Sequence, residues 1–399
     1  MLFYYNPIQF LHYLLRRDAT QFFTSIAIRY FAFGMILIFE PIYLYFYFDK
    51  SISSTLLFFA ALYGLYGLIV VYGGKIMAKV GLRQVMLLSY FFFFGYYLCL
   101  FFLYQSFLLV PLAIVLGSFG MMFFWPAFHT DFIRFSEKDY QGRSVGKMNI
   151  ACSVPTIFSP IIGGWILSSF NYPVLFIVVL IVLFTSTIPL FLSKEVHIIY
   201  SDSYQLAWKR IFKKANRKIN IGFIVDGIET GINAYLWPIF MVILAISYET
   251  MGGIITFALG ISALFTLYIG KLSDRIINRI KVLNIGSVLT SLSWLVKFFV
   301  ATPFSAFLAH AFYAVCRTTA SIPFQTLLYE RASGKGAETD EFIVYREIII
   351  NISRSIFFIA LAGFFFFVPQ INLAFILAAI FSLGFMFLGV PPKIFKKPK

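Results

Sequence analysis

Again and again along this chain, roughly twenty consecutive residues pass with almost no charge, and that recurrence restricts the fold more than any other feature. In a bilayer such a run is the length of one helical crossing. A helix is also the form that satisfies every backbone N–H and C=O without water. Twelve such stretches can be marked, at about 22–48, 53–73, 84–104, 107–128, 146–168, 172–192, 220–247, 253–270, 282–302, 304–329, 344–367 and 371–390. The sequence therefore predicts an all-α membrane protein with twelve transmembrane helices. Composition agrees, since 60% of the 399 residues are hydrophobic and only 12% charged, against about 45–50% and about 25% in soluble chains.

The bases are concentrated in alternate connections. One set holds Arg16 and Arg17; Lys75, Lys79 and Arg83; Arg134, Lys138, Arg143 and Lys147; the 193–219 segment; Lys271 to Lys281; Arg331 to Arg346; and the tail "KIFKKPK". The opposite set holds Lys50. This asymmetry predicts a multi-pass protein of the cell membrane with both termini cytoplasmic. It also accounts for the net charge of +15 through anionic lipid headgroups, so no nucleic acid is expected as a partner. Cys99, Cys152 and Cys316 fall inside apolar runs and read as packing residues. The four histidines (His12, His129, His197, His310) lack ligand spacing, so neither a metal nor another cofactor is expected. The start "MLFYYNPIQF" has neither the basic opening nor the small-residue cleavage site of a signal peptide.

A shift of 197 residues lays Pro41 on Pro238, Pro126 on Pro323 and Arg134 on Arg331. The hinge "GKIMAKVGLRQ" from Gly74 meets "GKLSDRIINRI" from Gly270 at a shift of 196. Landmarks that keep one spacing indicate duplication of a six-span unit. The expected domains are a bundle over 1–192, a basic cytoplasmic linker over 193–219, and a second, pseudo-symmetric bundle over 220–399. Within the linker, Leu206, Trp208, Ile211 and Phe212 can form the apolar side of an amphipathic helix lying on the membrane. An ordinary basic loop is the alternative.

This layout resembles the major facilitator superfamily, whose loop between spans two and three reads G-x-L-a-D-r-x-G-r-k. Gly74, Ile76, Lys79, Gly81 and Arg83 fit the first copy, with Ala78 where the family has Asp. Gly270, Leu272, Asp274, Arg275 and Arg279 fit the second, with Ile277 in place of the second glycine. Span five carries Gly146, Pro155, Ser159, Pro160, Gly163 and Gly164 at the spacing of the pattern G-x8-G-x3-G-P-x2-G-G, similar to the drug/proton antiporter branch. Small residues there permit close helix packing whatever the direction of transport. The resemblance implies two bundles rocking about a central cavity lined by spans one, four, seven and ten, with two, five, eight and eleven beside them. The hinges would gate it, with Asp274 near Gly146 and Lys147 at the start of span five.

Charges inside spans are the residues most in need of a reason, because each costs roughly 2.5–3.5 kcal/mol on insertion scales. Span one carries Arg29 and Glu40; span seven carries Asp226, Glu229 and Asn233, with Trp237 continuing the face. Span ten carries His310, Tyr313 and Arg317, and span eleven carries Glu347, Asn351 and Arg354. Arg29, Glu40, Asp226, Glu229, Asn233, Trp237, His310, Arg317, Asn351 and Arg354 are expected to line the cavity, with Arg29 facing Asp226. Lys297, on span nine, is expected to snorkel outward. His129 and Asp131 are expected to be solvated. A carboxyl in a partly dry cavity can load and release a proton as access alternates, which nominates Glu40, Asp226 and Glu229. The resulting expectation is a monomeric secondary transporter exporting a small organic solute in exchange for protons. Import of an organic anion bound by Arg317 and Arg354 is the second reading. A lipid-modifying enzyme would need clustered acids, which "HTDFIRFSEKD" (Asp131, Glu137, Asp139) does not provide. A non-transporting sensor or scaffold remains a third possibility.

Overall fold

The structure is a computed structural model, which describes residues 17–135, 154–272, 276–333, 338–368 and 370–388. Among these, helices account for almost everything and no strand occurs. The first set is α1 (Arg17–Ile36), α2 (Glu40–Tyr47), α3 (Ile52–Val80), α4 (Leu82–Phe101), α5 (Leu109–Phe135), α6 (Ser159–Ser169) and α7 (Tyr172–Phe191). After a short helix α8 (Tyr204–Phe212) come α9 (Arg217–Gly231), α10 (Trp237–Ile243), α11 (Tyr248–Leu272), α12 (Ile276–Phe298), α13 (Pro303–Ser333), α14 (Thr339–Phe367) and α15 (Leu373–Ser382). Among the described residues, seven helical segments are long and apolar enough to cross a membrane. The helices α9, α12 and α13 carry interior charges that dilute their apolar character.

The two repeat-related prolines explain the two broken helices. A proline ring clashes with the carbonyl four residues earlier and removes one helical N–H. Pro41 accordingly follows a turn at 37–39 that separates α1 from α2. Pro238 follows a π-helical turn, Ile232–Leu236, that separates α9 from α10. Both breaks face the middle of the molecule, where freed backbone is tolerated only beside protein or a cavity. Outward, large apolar side chains such as Phe107, Phe184, Leu264 and Phe366 are exposed, a surface suited to lipid tails.

Small residues bring the two helix sets together. Helix α3 packs along α14, where Ser53 Oγ donates to Ala362 O (2.8 Å) and Ser355 Oγ to Ala60 O (2.7 Å). Gly64, Gly67 and Gly74 face Ser355, Ile352 and Val344 along the same seam. Helix α6 packs against both α1 and α11. A Cβ on Gly163 would lie 2.0 Å from Met35 O, and one on Gly164 2.4 Å from Tyr248 O. A Cβ on Gly252 of α11 would lie 2.4 Å from Pro160 O. Half-buried Pro155 and buried Ser159 belong to the same segment, and Ser159 Oγ packs where Gly34 has no side chain. Gly146 and Lys147 of this pattern, and Asp274 and Arg275 of the second hinge, lie outside the described residues; Gly270 is buried near the end of α11.

The first hinge is held by the segment after α7. Gly81 has φ +110°, a conformation that favours glycine, and the Glu195 side chain lies against it. The Glu195 carboxylate accepts from the backbone N–H of Arg83 (2.9 Å) and Gln84 (3.0 Å), capping the start of α4. Lys79 is exposed at the end of α3. Further on, Ser201 N–H donates to Glu341 of α14 (2.8 Å), and Arg210 of α8 bridges Asp202 (2.5 Å) and Glu338 (3.1 Å). Hydrogen bonding to Asp202 raises the Arg210 pKa, fixing its charge. On α8, Leu206 and Phe212 are exposed while Ala207 and Arg210 are buried. Glu195→Ala should remove the cap and lower stability by about 1–2 kcal/mol, read as a lower unfolding midpoint in detergent. An unchanged midpoint would mean that the carboxylate does not hold the hinge.

Candidate functional site

A cavity of about 500 Å³ lies where the two broken helices meet. Its walls are aromatic: Tyr30, Phe33, Phe93, Tyr96, Tyr97, Phe124 and Trp125 from the first helix set, Tyr235 and Trp237 from the second. Its charged groups come from α1 and α2. The Arg29 guanidinium lies over four rings, 3.5 Å from the Phe124 centroid and 4.7 Å from those of Phe33, Tyr90 and Phe93. Glu40, the first residue after the break, accepts a hydrogen bond from Tyr96 (2.6 Å). Asn233, Trp237 and His310 form the polar part of the other wall, with Trp237 and His310 stacked at 5.6 Å and 7°.

Contacts between the two helix sets lie on both sides of the cavity. Towards the end opposite the Gly81 hinge, the Tyr63 and Tyr235 hydroxyls meet, and α6 touches α11 through the glycines described above. Towards the hinge end, His129 Nδ1 pairs with Tyr329 Oη (2.9 Å). Tyr66 there donates to Glu347 (2.9 Å), which also meets Arg346 (2.6 Å) and lies 3.8 Å from His129.

Of the residues expected from sequence, Arg29, Glu40, Asn233, Trp237 and His310 line the cavity. Asp226, Glu229, Arg317, Asn351 and Arg354 do not. Arg317 is enclosed by Asp226 (2.6 Å) and Glu229 (2.7 Å), and Glu229 also accepts from Trp294 Nε1 (2.9 Å) and Tyr313 Oη (2.8 Å). Asn351 donates to the carbonyl of Glu347 (2.7 Å). Arg354 donates to Gly227 O (2.8 Å) and Thr230 (2.9 Å), with its cation 4.4 Å from the Tyr63 ring centroid. Arg29 does not face Asp226, because Arg317 already occupies that carboxylate.

Three placements correct the sequence reading. Lys297 does not reach outward; it is fully buried, donates to Asn233 Oδ1 (2.9 Å) and sits over Tyr313 (3.7 Å), Trp237 and Trp294 (both 4.3 Å). Trp294, three residues earlier on the same helix face, was the signal in the sequence that an inward cation would find a ring. Asp131 is not solvated; it is buried against Arg83 (2.9 Å). Ala78 leaves the first hinge without its acid, and Asp131 from α5 supplies one to the hinge base. His129 is likewise buried, against Tyr329.

No curated protein sequence matches the chain. Solved structures share its fold at low identity. The human organic anion transporter MFSD10 (TETRAN) superposes with a TM-score of 0.70 at 12% identity, over 94% of this chain and 99% of that one. The transporter FucP in its outward conformation gives 0.66 at 13%, over 96% and 99%. A variant of the E. coli fucose:proton symporter FucP gives 0.63 at 14%, over 93% and 98%. The sequence model of the Major Facilitator Superfamily matches residues 22–339. With helices broken about a central cavity and contacts between helix sets on both sides of it, the chain belongs to the Major Facilitator Superfamily.

Proposed function

We propose that this protein moves a small organic solute through the central cavity by alternating access, in exchange for protons and in the direction of export. Membership of a transporter family supports a secondary transporter and points away from the membrane-enzyme reading. An organic anion transporter and a sugar:proton symporter share the fold, so the cavity's own side chains must supply the chemistry. The observation that carries the reading is Glu40. It is a carboxyl at a helix break, and among the described residues that line the cavity no other carries a carboxylate. Its partner, Tyr96, is a hydroxyl rather than a base, so its proton can be exchanged as water reaches the cavity from one side and then the other. The choice of export rests on the likeness of the pattern over Gly146, Pro155, Ser159, Pro160, Gly163 and Gly164 to the drug/proton antiporter branch, since the packing itself is neutral as to direction. The moving units are the bundles 1–192 and 220–399, with 193–219 joining them and both termini cytoplasmic.

The test is solute flux in proteoliposomes with and without an imposed pH gradient. Glu40→Gln should abolish the gradient's effect on net flux, at least tenfold, while solute counterflow persists, since the neutral amide keeps the shape but carries no proton. A gradient-driven flux that survives in Glu40→Gln would remove the carboxyl from the coupling step. Turnover of a lipid without accumulation of solute would overturn transport itself.

A further inference from the structure

Among the described residues, the interior bases meet a carboxylate, an amide oxygen or a backbone carbonyl, whereas Arg29 has a phenol and ring faces. Arg317 meets two carboxylates, Arg346 meets Glu347 and Arg83 meets Asp131. Lys297 has the Asn233 oxygen, and Arg354 has a backbone carbonyl. Arg29 is 2% exposed and hydrogen-bonds the Tyr90 hydroxyl, but its Nη1 has no hydrogen-bond partner, and among the described residues no carboxylate approaches within the 4.0 Å of an ion pair. Ring faces offset part of that isolation. They leave a buried guanidinium N–H unsatisfied, which is expensive wherever nothing arrives to meet it.

The surroundings specify what would arrive. The guanidinium is a fork of N–H donors matched to the two oxygens of an oxyanion. The rings beside it are flat and apolar, and they continue through Phe33, Phe93 and Phe124 along the wall. Glu40 stands beyond the turn at 37–39 in the same span and lines the same cavity. A second acid group on the ligand would meet that carboxyl instead of a base. We propose that the cavity binds a flat monovalent organic oxyanion, a carboxylate or sulfonate, with its head on Arg29 and its apolar body against Phe33, Phe93 and Phe124. This rests on the transport reading of the same cavity and names the class of solute carried.

The experiment measures binding separately from flux. Purified protein in nanodiscs is titrated with 2-naphthoate, its neutral amide, the amine 2-naphthylmethylamine, and naphthalene-2,6-dicarboxylate. Quenching of intrinsic tryptophan fluorescence gives the readout, because Trp125 and Trp237 line the cavity. The naphthoate should bind at least tenfold more tightly than the amide, the amine or the dicarboxylate. Arg29→Gln should bring naphthoate and amide level, and Arg29→Lys should keep part of the preference. Equal binding of naphthoate and amide to the parent protein, binding of none of the four, or a preference that survives in Arg29→Gln would each overturn the proposal. Should Arg29→Gln fail to fold, discrimination among the four probes by the parent protein decides the matter alone. A naphthoate preference without counterflow would sustain the oxyanion site while removing the transport reading.

Discussion

Arg317→Ala is expected to destabilise the protein by about 3–5 kcal/mol, the effect of removing one partner from a buried ion cluster. Its guanidinium lies between Asp226 and Glu229, and Glu229 is entirely buried. Truncation leaves two interior carboxylates without their arginine, and Trp294 and Tyr313 satisfy one oxygen of Glu229 without neutralising it. The loss should appear as a sharply lower unfolding midpoint and reduced membrane yield. Joining Arg317→Met to Asp226→Asn and Glu229→Gln should restore most of it, because the charges then leave together. A variant Arg317→Ala that melts like the parent but fails to transport would return Arg317 to a binding role.

That expectation reverses what the sequence suggested, and the reason is physical. Helical spacing placed Asp226 and Glu229 on one face of span seven, and His310, Tyr313 and Arg317 on one face of span ten. Spacing says which residues share a face but not how far each helix is rotated about its axis. A modest rotation turns a cavity wall into a helix–helix contact, and the acids of α9 meet the arginine of α13 rather than a solute. The same ambiguity misplaced Lys297, whose long stem can snorkel outward or fold back onto Trp294.

Other features were legible because local chemistry decides them. The apolar runs gave the helical architecture, since a membrane leaves backbone polar groups no other partner. The repeated prolines, read from the sequence only as landmarks of duplication within unbroken spans 22–48 and 220–247, also mark both helix breaks, as Pro41 and Pro238 act on the carbonyl four residues earlier wherever the neighbouring helices lie. Arg29 and Glu40 reach the cavity because they share a span interrupted by such a break. The clamp by Glu195 was not legible. Its partners are the backbone N–H groups of a helix start more than a hundred residues away, and one acid in a basic segment carries no pattern.

Gly164→Leu should reduce transport at least tenfold while leaving a folded protein in the membrane. The absent side chain is what lets α6 lie on α11, for even a Cβ would stand 2.4 Å from Tyr248 O and 3.2 Å from Glu249 Cα, both backbone atoms that cannot rotate away. Overpacking of this kind costs about 1–3 kcal/mol. Here the penalty falls on the state in which the two helices touch, and it vanishes once they separate. A bias of about 2 kcal/mol shifts a two-state balance roughly 30-fold, so the variant should rest open at the end opposite the Gly81 hinge. A cysteine placed in the cavity as Ala234→Cys should then react faster with an impermeant thiol reagent from that side. Gly252→Leu, meeting Pro160 O from the other helix, should behave alike. Gly253→Leu is the control, since nothing lies within 4 Å of its Cβ position. Normal transport in Gly164→Leu would show that α6 and α11 need not touch in the cycle. An equal loss in Gly253→Leu would trace the defect to the helix and not to the contact.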